Sequence, residues 1–237
     1  MAETGVTAIG RRVFLGMVGL GAVGVVAGSG VQNALGDLVR PLQSVDPTGL
    51  AGLIPSGNGW RFYTVTDGYP KETDAQYQLA VGGMVDSPVT LRIADLQGMP
   101  PTRLIRDFQC VTGWRVPSVH WQGVTLSSLL DQAGAQAGAT AVHFDSFDGA
   151  YTETLTMSQA RRPDVMVAYS MLGGPITSQH GGPVRLFVAP MYGYKSVKWL
   201  SRITVTDTIV PGYWEQAGDY DIDAWVGASN GRQDRPT

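Results

Sequence analysis

The chain has a single cysteine, Cys110, among 237 residues. No disulfide can close within it, there is no Cys-x-x-Cys pair, and one thiol is too few for an iron–sulfur cluster. A haem-attachment motif is also missing. Charge is sparse: 16% of residues are charged and the formal net charge is -3, low for a soluble domain. With no basic excess and no Lys/Arg-rich tract, nucleic acid is not an expected partner. The 31 glycines and 14 prolines follow no fixed period. That excludes collagen and argues against a helical bundle, in favour of many turns and short strands. No internal repeat and no low-complexity segment is present.

What is abundant is apolar: 43% of residues are hydrophobic, enough for a sizeable core. One apolar run stands apart, from Val13 to Ala27, directly after Arg11 and Arg12. A basic pair before such a run reads as an export signal. The Arg-Arg-x-Phe-Leu pattern resembles a twin-arginine signal more than an ordinary Sec signal. No clear Ala-x-Ala cleavage site follows, and Val13 to Val31 is just long enough to span a bilayer. Release into the periplasm or cell envelope, and retention by an N-terminal membrane anchor, are both open. Residues 1–36 are therefore assigned to the signal or anchor, 37–58 to a Pro/Gly/Ser/Asp-rich linker, and 59–237 to one folded domain. In an exported protein a lone thiol is either an inert buried side chain or a group kept for chemistry.

Period-two alternation predicts strands over Trp60–Thr66, Tyr77–Val81 and Ala141–Phe147, with further strands at Val89–Leu91, Thr102–Cys110, Val165–Tyr169, Val184–Val188 and Arg202–Thr206. Helical spacing of Leu126, Leu129, Leu130 and Ala133 predicts a helix over 124–137, and shorter helices are expected over 93–97 and 156–162. The class is α+β: mixed β-sheets with short helices.

Three segments carry a resemblance: Phe108-Gln-Cys-Val-Thr-Gly-Trp114, His180-Gly-Gly-Pro-Val-Arg-Leu186 and Tyr192-Gly-Tyr-Lys-Ser-Val-Lys-Trp199, with a weaker fourth, Phe147-Asp-Gly-Ala-Tyr-Thr-Glu153. In this order and spacing they resemble the sulfite oxidase superfamily of molybdopterin enzymes. The nearest branch is that of small exported proteins, which includes the methionine sulfoxide reductase catalytic subunit. The resemblance implies a sulfite-oxidase-type molybdopterin-binding fold, molybdenum and molybdopterin as cofactors, and 59–237 as the catalytic domain. It implies that Cys110 ligates the metal, soft thiolate ligation suiting a metal that exchanges electrons.

The resemblance also implies that His180, Arg185, Ser196, Val197 and Lys198 contact the pterin. Ser146 lies where relatives place a small hydroxyl residue near it. Arg61 and Tyr63 lie on an early segment that closes over it, with Asn58 a lesser candidate. Lys195 and Tyr194 are assigned to the cofactor as well, since lysines and an arginine supply charge-assisted donors to a phosphate and Tyr192, Tyr194 and Trp199 interleave with the charges. Arg115, His120 and Tyr192 are expected at substrate entry and turnover, a tyrosine hydroxyl being a plausible donor. His120 belongs either to the pocket or to a turn, and His143 is expected to be structural. Sulfite-oxidising relatives carry arginines just after the metal-binding cysteine, whereas here only Arg115 follows, which weakens sulfite as substrate.

The implied activity is oxygen-atom transfer on a small-molecule substrate. Electrons must then pass through a separate partner, a haem-containing membrane subunit or a cytochrome, and the chain is expected to act as a monomeric catalytic subunit. It is too short for the immunoglobulin-like dimerisation domain of full sulfite oxidases. Two other readings stay open: an inert module of the same fold, and a hydrolase with Cys110 as nucleophile and His120 or His180 as base.

Overall fold

A computed structural model describes residues 59–218 and 220–226. The signal or anchor, the linker and Asn58 lie outside the described residues. The chain divides into two units, one holding Cys110–Val116 with the segment up to Thr64, the other Val65–Gln109 with Pro117 onward.

The larger unit is built on two sheets. The first runs in the order β2 (Val89–Leu91), β1 (Leu79–Gly83), β10 (Leu200–Thr206), β5 (Ala141–Ser146), β6 (Thr152–Thr156). Only β1 and β10 pair in parallel. The second places β3 (Thr102–Gln109), β4 (Arg115–Thr125), β7 (Val165–Met171) and β8 (Gly174–Pro175) side by side, and β9 (Arg185–Val188) also pairs with β7. Short helices connect them: α1 (Ile93–Gly98), α2 (Leu126–Ala133), α3 (Met157–Ala160) and α4 (Tyr213–Ala217).

Local chemistry explains the elements. β7 is an almost unbroken apolar run and is buried along nearly its whole length, as a strand covered on both faces requires. β5 alternates, burying Val142, Phe144 and Ser146 and leaving His143 and Asp145 partly exposed. α2 buries Leu126, Leu129, Leu130 and Ala133 on one stripe, with the Thr125 hydroxyl accepting from Ser128 N at its start. Gly134, at φ 69, ends it in the left-handed conformation. That stop, and the pairing of Val124 and Thr125 with β7, shorten this helix at both ends relative to the sequence pattern. The helix expected over 156–162 is likewise confined to α3.

Two sequence expectations are corrected. Trp60–Thr66 forms no strand. Its alternation serves ring packing instead, with Trp60 edge-on to Trp114 and Tyr63 tilted against the same ring. The stretch around His120 is no turn but part of β4, which was concealed by Pro117 and Gly123. The strand tolerates both: it carries a register shift between Gln122 and Gly123, and a Cβ on Gly123 would lie 2.1 Å from the Val167 carbonyl oxygen. Strand β6 was also unforeseen. The core joins the first sheet, α1, α2 and β7, with Phe144, Leu126, Val167 and Ile203 among its fully enclosed side chains. No helix among the described residues is long and apolar enough to cross a membrane.

Candidate functional site

In the larger unit the sequence-predicted residues gather around Arg185. This side chain is 1% exposed. Its guanidinium donates to the carbonyls of His180 (2.6 Å), Ser196 (3.1 Å) and, more weakly, Leu186 (3.4 Å). It lies over the rings of Phe108 and Trp121, and Trp121 stacks on Phe187 at 4.1 Å. Two loops are thereby fastened together. Leu186 N donates to Val197 O, the Ser196 hydroxyl accepts from Val188 N, and Trp199 N donates to Gly181 O. Lys198 extends beside this seam, its ammonium 5.1 Å from the Trp199 ring. Ser146 is buried at the end of β5, paired with Leu200, its hydroxyl accepting from Asp148 N.

Electrostatics mark this cradle as a place for an anion. Burial pushes the Arg185 guanidinium down to about 10, yet no carboxylate among the described residues lies within ion-pair distance of it. Burial, with Arg185 and Lys198 adding positive charge, pushes His180 down to about 4. At neutral pH His180 is therefore uncharged and can donate from one ring nitrogen and accept at the other. A buried guanidinium held by carbonyl dipoles, beside a lysine and a neutral histidine, fits a phosphate-bearing group with polar ring edges.

Backbone space is equally restrictive. Gly181 sits at φ +91, and a Cβ there would lie 2.5 Å from Lys198 Cβ; one on Gly182 would lie 1.8 Å from the Ile176 carbonyl oxygen. Gly181→Ala should cost about 1–3 kcal/mol for the backbone conformation and displace Lys198. The expected result is a lower unfolding temperature together with a reduced molybdenum-to-protein ratio in purified enzyme.

The smaller unit carries the cysteine. Cys110 N donates to Trp114 O (2.9 Å) and Gly113 N donates to Cys110 O (3.1 Å). Gly113, at φ +95, supplies the left-handed step that this turn needs. Cys110 is partly exposed, and the Thr112 hydroxyl donates to its Sγ at 3.2 Å. Arg61 is buried, and its Nε has no hydrogen-bond partner among the described residues. Tyr63 Oη accepts from Trp114 Nε1 at 3.1 Å. A partly exposed thiol in a turn, with a hydroxyl donor at the sulfur and a buried cation nearby, suits a thiolate ligand rather than an inert core side chain.

Other expected residues are placed differently. Lys195 is corrected from cofactor contact to internal support. Its ammonium is wholly buried and donates to Glu153 Oε1 (2.6 Å), Thr154 O (2.9 Å) and Glu215 Oε1 (2.5 Å). Tyr194 also turns away from the cradle, its hydroxyl donating to Asp221 O. Arg115 and His120 are exposed, and Tyr192 is half-buried before the turn Gly193–Lys195. His143 bonds Thr154 across β5 and β6, a structural role. Sequence reasoning passed over Thr112 and Trp114, although both stand inside the cysteine segment. It also passed over Glu153, a carboxylate within a strand, and Glu215, for which no local signal existed.

Comparison with known proteins gives the family. The family model described as "Oxidoreductase molybdopterin binding domain" matches residues 67–214. The chain belongs to this family: it is a molybdopterin-dependent oxidoreductase, with the molybdenum cofactor as its prosthetic group. It is 33% identical over 147 residues to an uncharacterized oxidoreductase of Bacillus subtilis, YuiH, the match covering 62% of this chain and 74% of that protein. It is 32% identical over 157 residues to the protein-methionine-sulfoxide reductase catalytic subunit MsrP of Ralstonia nicotianae, covering 60% of this chain and 47% of that one. Arabidopsis thaliana sulfite oxidase is 29% identical over 174 residues, with 59% and 44% covered. The chain thus spans under half the length of these last two relatives. Among solved structures, the sulfane dehydrogenase SoxCD of Paracoccus pantotrophus shares the fold with a TM-score of 0.55 at 23% identity, over 61% of this chain and 41% of that one.

Proposed function

We propose that this protein is an extracytoplasmic enzyme that transfers an oxygen atom to or from a small substrate, a sulfoxide in preference to sulfite. The observation that carries the reading is Arg185, a buried guanidinium held by carbonyls and with no carboxylate at ion-pair distance among the described residues. Arg185 and Lys198 would hold the phosphate, neutral His180 a polar edge of the pterin, and Ser196 and Val197 backbone groups next to it. Ser146, Arg61 and Tyr63 would complete the hold. Cys110 would supply the metal's thiolate. When bound, the cofactor supplies two-electron redox chemistry at molybdenum.

The chain's own residues select and orient. Arg115, His120 and Tyr192 are the groups proposed to meet the substrate, with the Tyr192 hydroxyl as a proton donor. A single arginine after the cysteine offers less anion affinity than the paired arginines of sulfite-oxidising relatives, which favours an uncharged sulfoxide. Similarity to MsrP and to the putative protein-methionine-sulfoxide reductase subunit YedZ1 of Azospira oryzae, 29% identical over 189 residues, supports the same preference. Electrons would come from a separate haem-containing membrane subunit or cytochrome, reaching a monomeric catalytic subunit. Arg11-Arg12-Val-Phe-Leu15 supports export by the twin-arginine route, with release or anchoring at the N-terminus.

Metal analysis of protein exported from a molybdopterin-producing host tests this. About one molybdenum per chain is expected, with dye-linked reduction of methionine sulfoxide exceeding oxidation of sulfite. Well-folded protein without molybdenum would overturn the reading, and faster turnover of sulfite would overturn the substrate assignment.

A further inference from the structure

One stretch of the second sheet presents apolar side chains to water. Strand β3 stands at the end of that sheet's order, beside β4. Arg103 Nε donates to Gln122 Oε1 at 3.1 Å, and Ser118 N donates to Asp107 Oδ1 at 2.8 Å. Counting inward from these two contacts sets Ile105 across from His120. The His120 carbonyl in turn accepts from Leu172 N at 2.8 Å. Ile105, 55% exposed, and Leu172, 58% exposed, therefore flank the same residue.

Backbone strain singles out the same place. Leu172 and Gly173 join β7 to β8 with φ 53 and 83. A two-residue hairpin turn with both φ positive favours Asn-Gly, and a bulky side chain in the left-handed region is an outlier. The fold tolerates that strain to hold a leucine out in water. Among the described residues, the non-glycine positions with positive φ are Ser118, Leu172 and Trp199. Trp199 belongs to the pterin cradle, and the other two to this surface. Strain of this kind collects at binding and switch sites.

Charge gives the chemistry of the occupant. Arg103 and Arg106 are exposed, and neither meets a carboxylate at ion-pair distance among the described residues. Arg106 donates to Ile105 O at 3.0 Å, which sets its charge beside the apolar pair. Asp107, the one acid on β3, is engaged by Ser118 N. The whole chain carries a formal charge of -3, so the local sign runs against it.

We infer that Ile105 and Leu172, rimmed by Arg103 and Arg106, form the docking surface for the separate electron partner, whose contact face carries acidic groups around an apolar centre. The redox identity of the partner rests on the function proposed above. A second copy of this chain would set arginine against arginine, and like charges in contact suppress wrong partners. An anionic bilayer attracts arginines too, but a fluid surface does not require one leucine fixed by a strained turn.

The test gives the full-length, molybdenum-loaded enzyme two electron sources for reducing methionine sulfoxide: a reduced dye, and native envelope membranes of the source organism supplied with NADH. The double variant Arg103→Glu/Arg106→Glu should keep its dye-linked rate within about twofold. Its membrane-linked rate should fall about tenfold or more, since rim charges act on association. Raising salt from about 0.01 M to about 0.15 M shortens the screening length from about 30 Å to about 8 Å, and should slow the wild type but not the variant. Leu172→Asn should raise the unfolding temperature by about 2–4 °C, asparagine accepting a positive φ, while the membrane-linked rate falls about fivefold. A purely structural leucine would not move stability and coupling in opposite directions. Equal membrane-linked rates in wild type and double variant would overturn the docking surface. Wild-type enzyme driven by dye but not by membranes would overturn it as well, leaving the proposed function standing. Absence of dye-linked turnover would overturn that function and the redox identity of the partner with it. Sedimentation of the wild type, but not the double variant, with phosphatidylglycerol vesicles would overturn the protein partner in favour of a membrane surface.

Discussion

Lys195→Met should destabilise the folded domain by about 3–5 kcal/mol, the cost of breaking a buried ion pair by removing one partner. The side chains of Lys195, Glu153 and Glu215 are 0%, 0% and 2% exposed, so neither carboxylate can recover its lost bond from bulk water. One ammonium serves two carboxylates, and a fully charged cluster would bury a net negative charge. Burial pushes Glu153 up to about 8 against the opposing pull of Lys195, so it holds a proton at neutral pH. The sign follows from linkage. A carboxyl whose folded value lies above its unfolded value of 4.5 binds more protons in the folded state between the two, so stability falls as pH rises from about 4.5 to about 8. Urea unfolding at pH 5, 7 and 9 should show this slope in the wild type, a steeper one in Lys195→Met, and a flatter one in Glu153→Gln. Methionine preserves most of the stem's packing, which isolates the charge. Lys195 closes the turn that presents Ser196, Val197 and Lys198, so molybdenum content should fall along with stability.

Cys110→Ala should have the opposite signature, with full loss of turnover and little loss of stability. Its thiol is partly exposed, and the Thr112 hydroxyl that donates to it is itself on an exposed residue. Thermal unfolding should therefore shift by about 1 kcal/mol or less. Losing a group that merely supports a metal ligand costs 10–100-fold in affinity or activity. Loss of the ligand itself should exceed that, taking dye-linked turnover down by at least about a hundredfold. The metal should be lost, or its electron-spin signal altered. Full activity in this variant would exclude the cysteine as ligand. Turnover lost with molybdenum and its signal unchanged would favour a nucleophilic thiol.

The sequence made some of this visible for reasons that can be named. β5 and β7 announce themselves because each keeps one pattern, alternation or continuous apolarity, along its whole length. α2 does so through its stripe of leucines and Gly134. The family motifs led to Arg185, His180, Ser196 and Val197, and the structure fastens those segments together through backbone bonds. β4 was hidden because Pro117 and Gly123 mimic a loop, while its register shift is a property of pairing and not of one strand. Lys195 was misjudged for a different reason. Its aromatic neighbours resemble a ligand-facing surface, and the carboxylates that claim its ammonium lie 42 and 20 residues away. Long-range charge pairing of that kind leaves no local pattern. Trp60–Thr66 shows the reverse failure, a strand-like pattern spent on packing against Trp114.

Glu215 also bears on where the domain ends. It does two things at once, receiving the Lys195 ammonium and accepting from Gly212 N at the start of α4. The family match stops at residue 214, one position short of it, and the last strand stops at Thr206. A fragment trimmed to either limit would keep every strand and each residue assigned to the pterin. It would nevertheless lack the second carboxylate for a lysine sealed inside the fold. The folded unit is therefore longer than either the sheet or the family alignment delimits, and it runs on past Glu215 to Ala224 and Trp225, which are buried in the core, Trp225 bridging Met191.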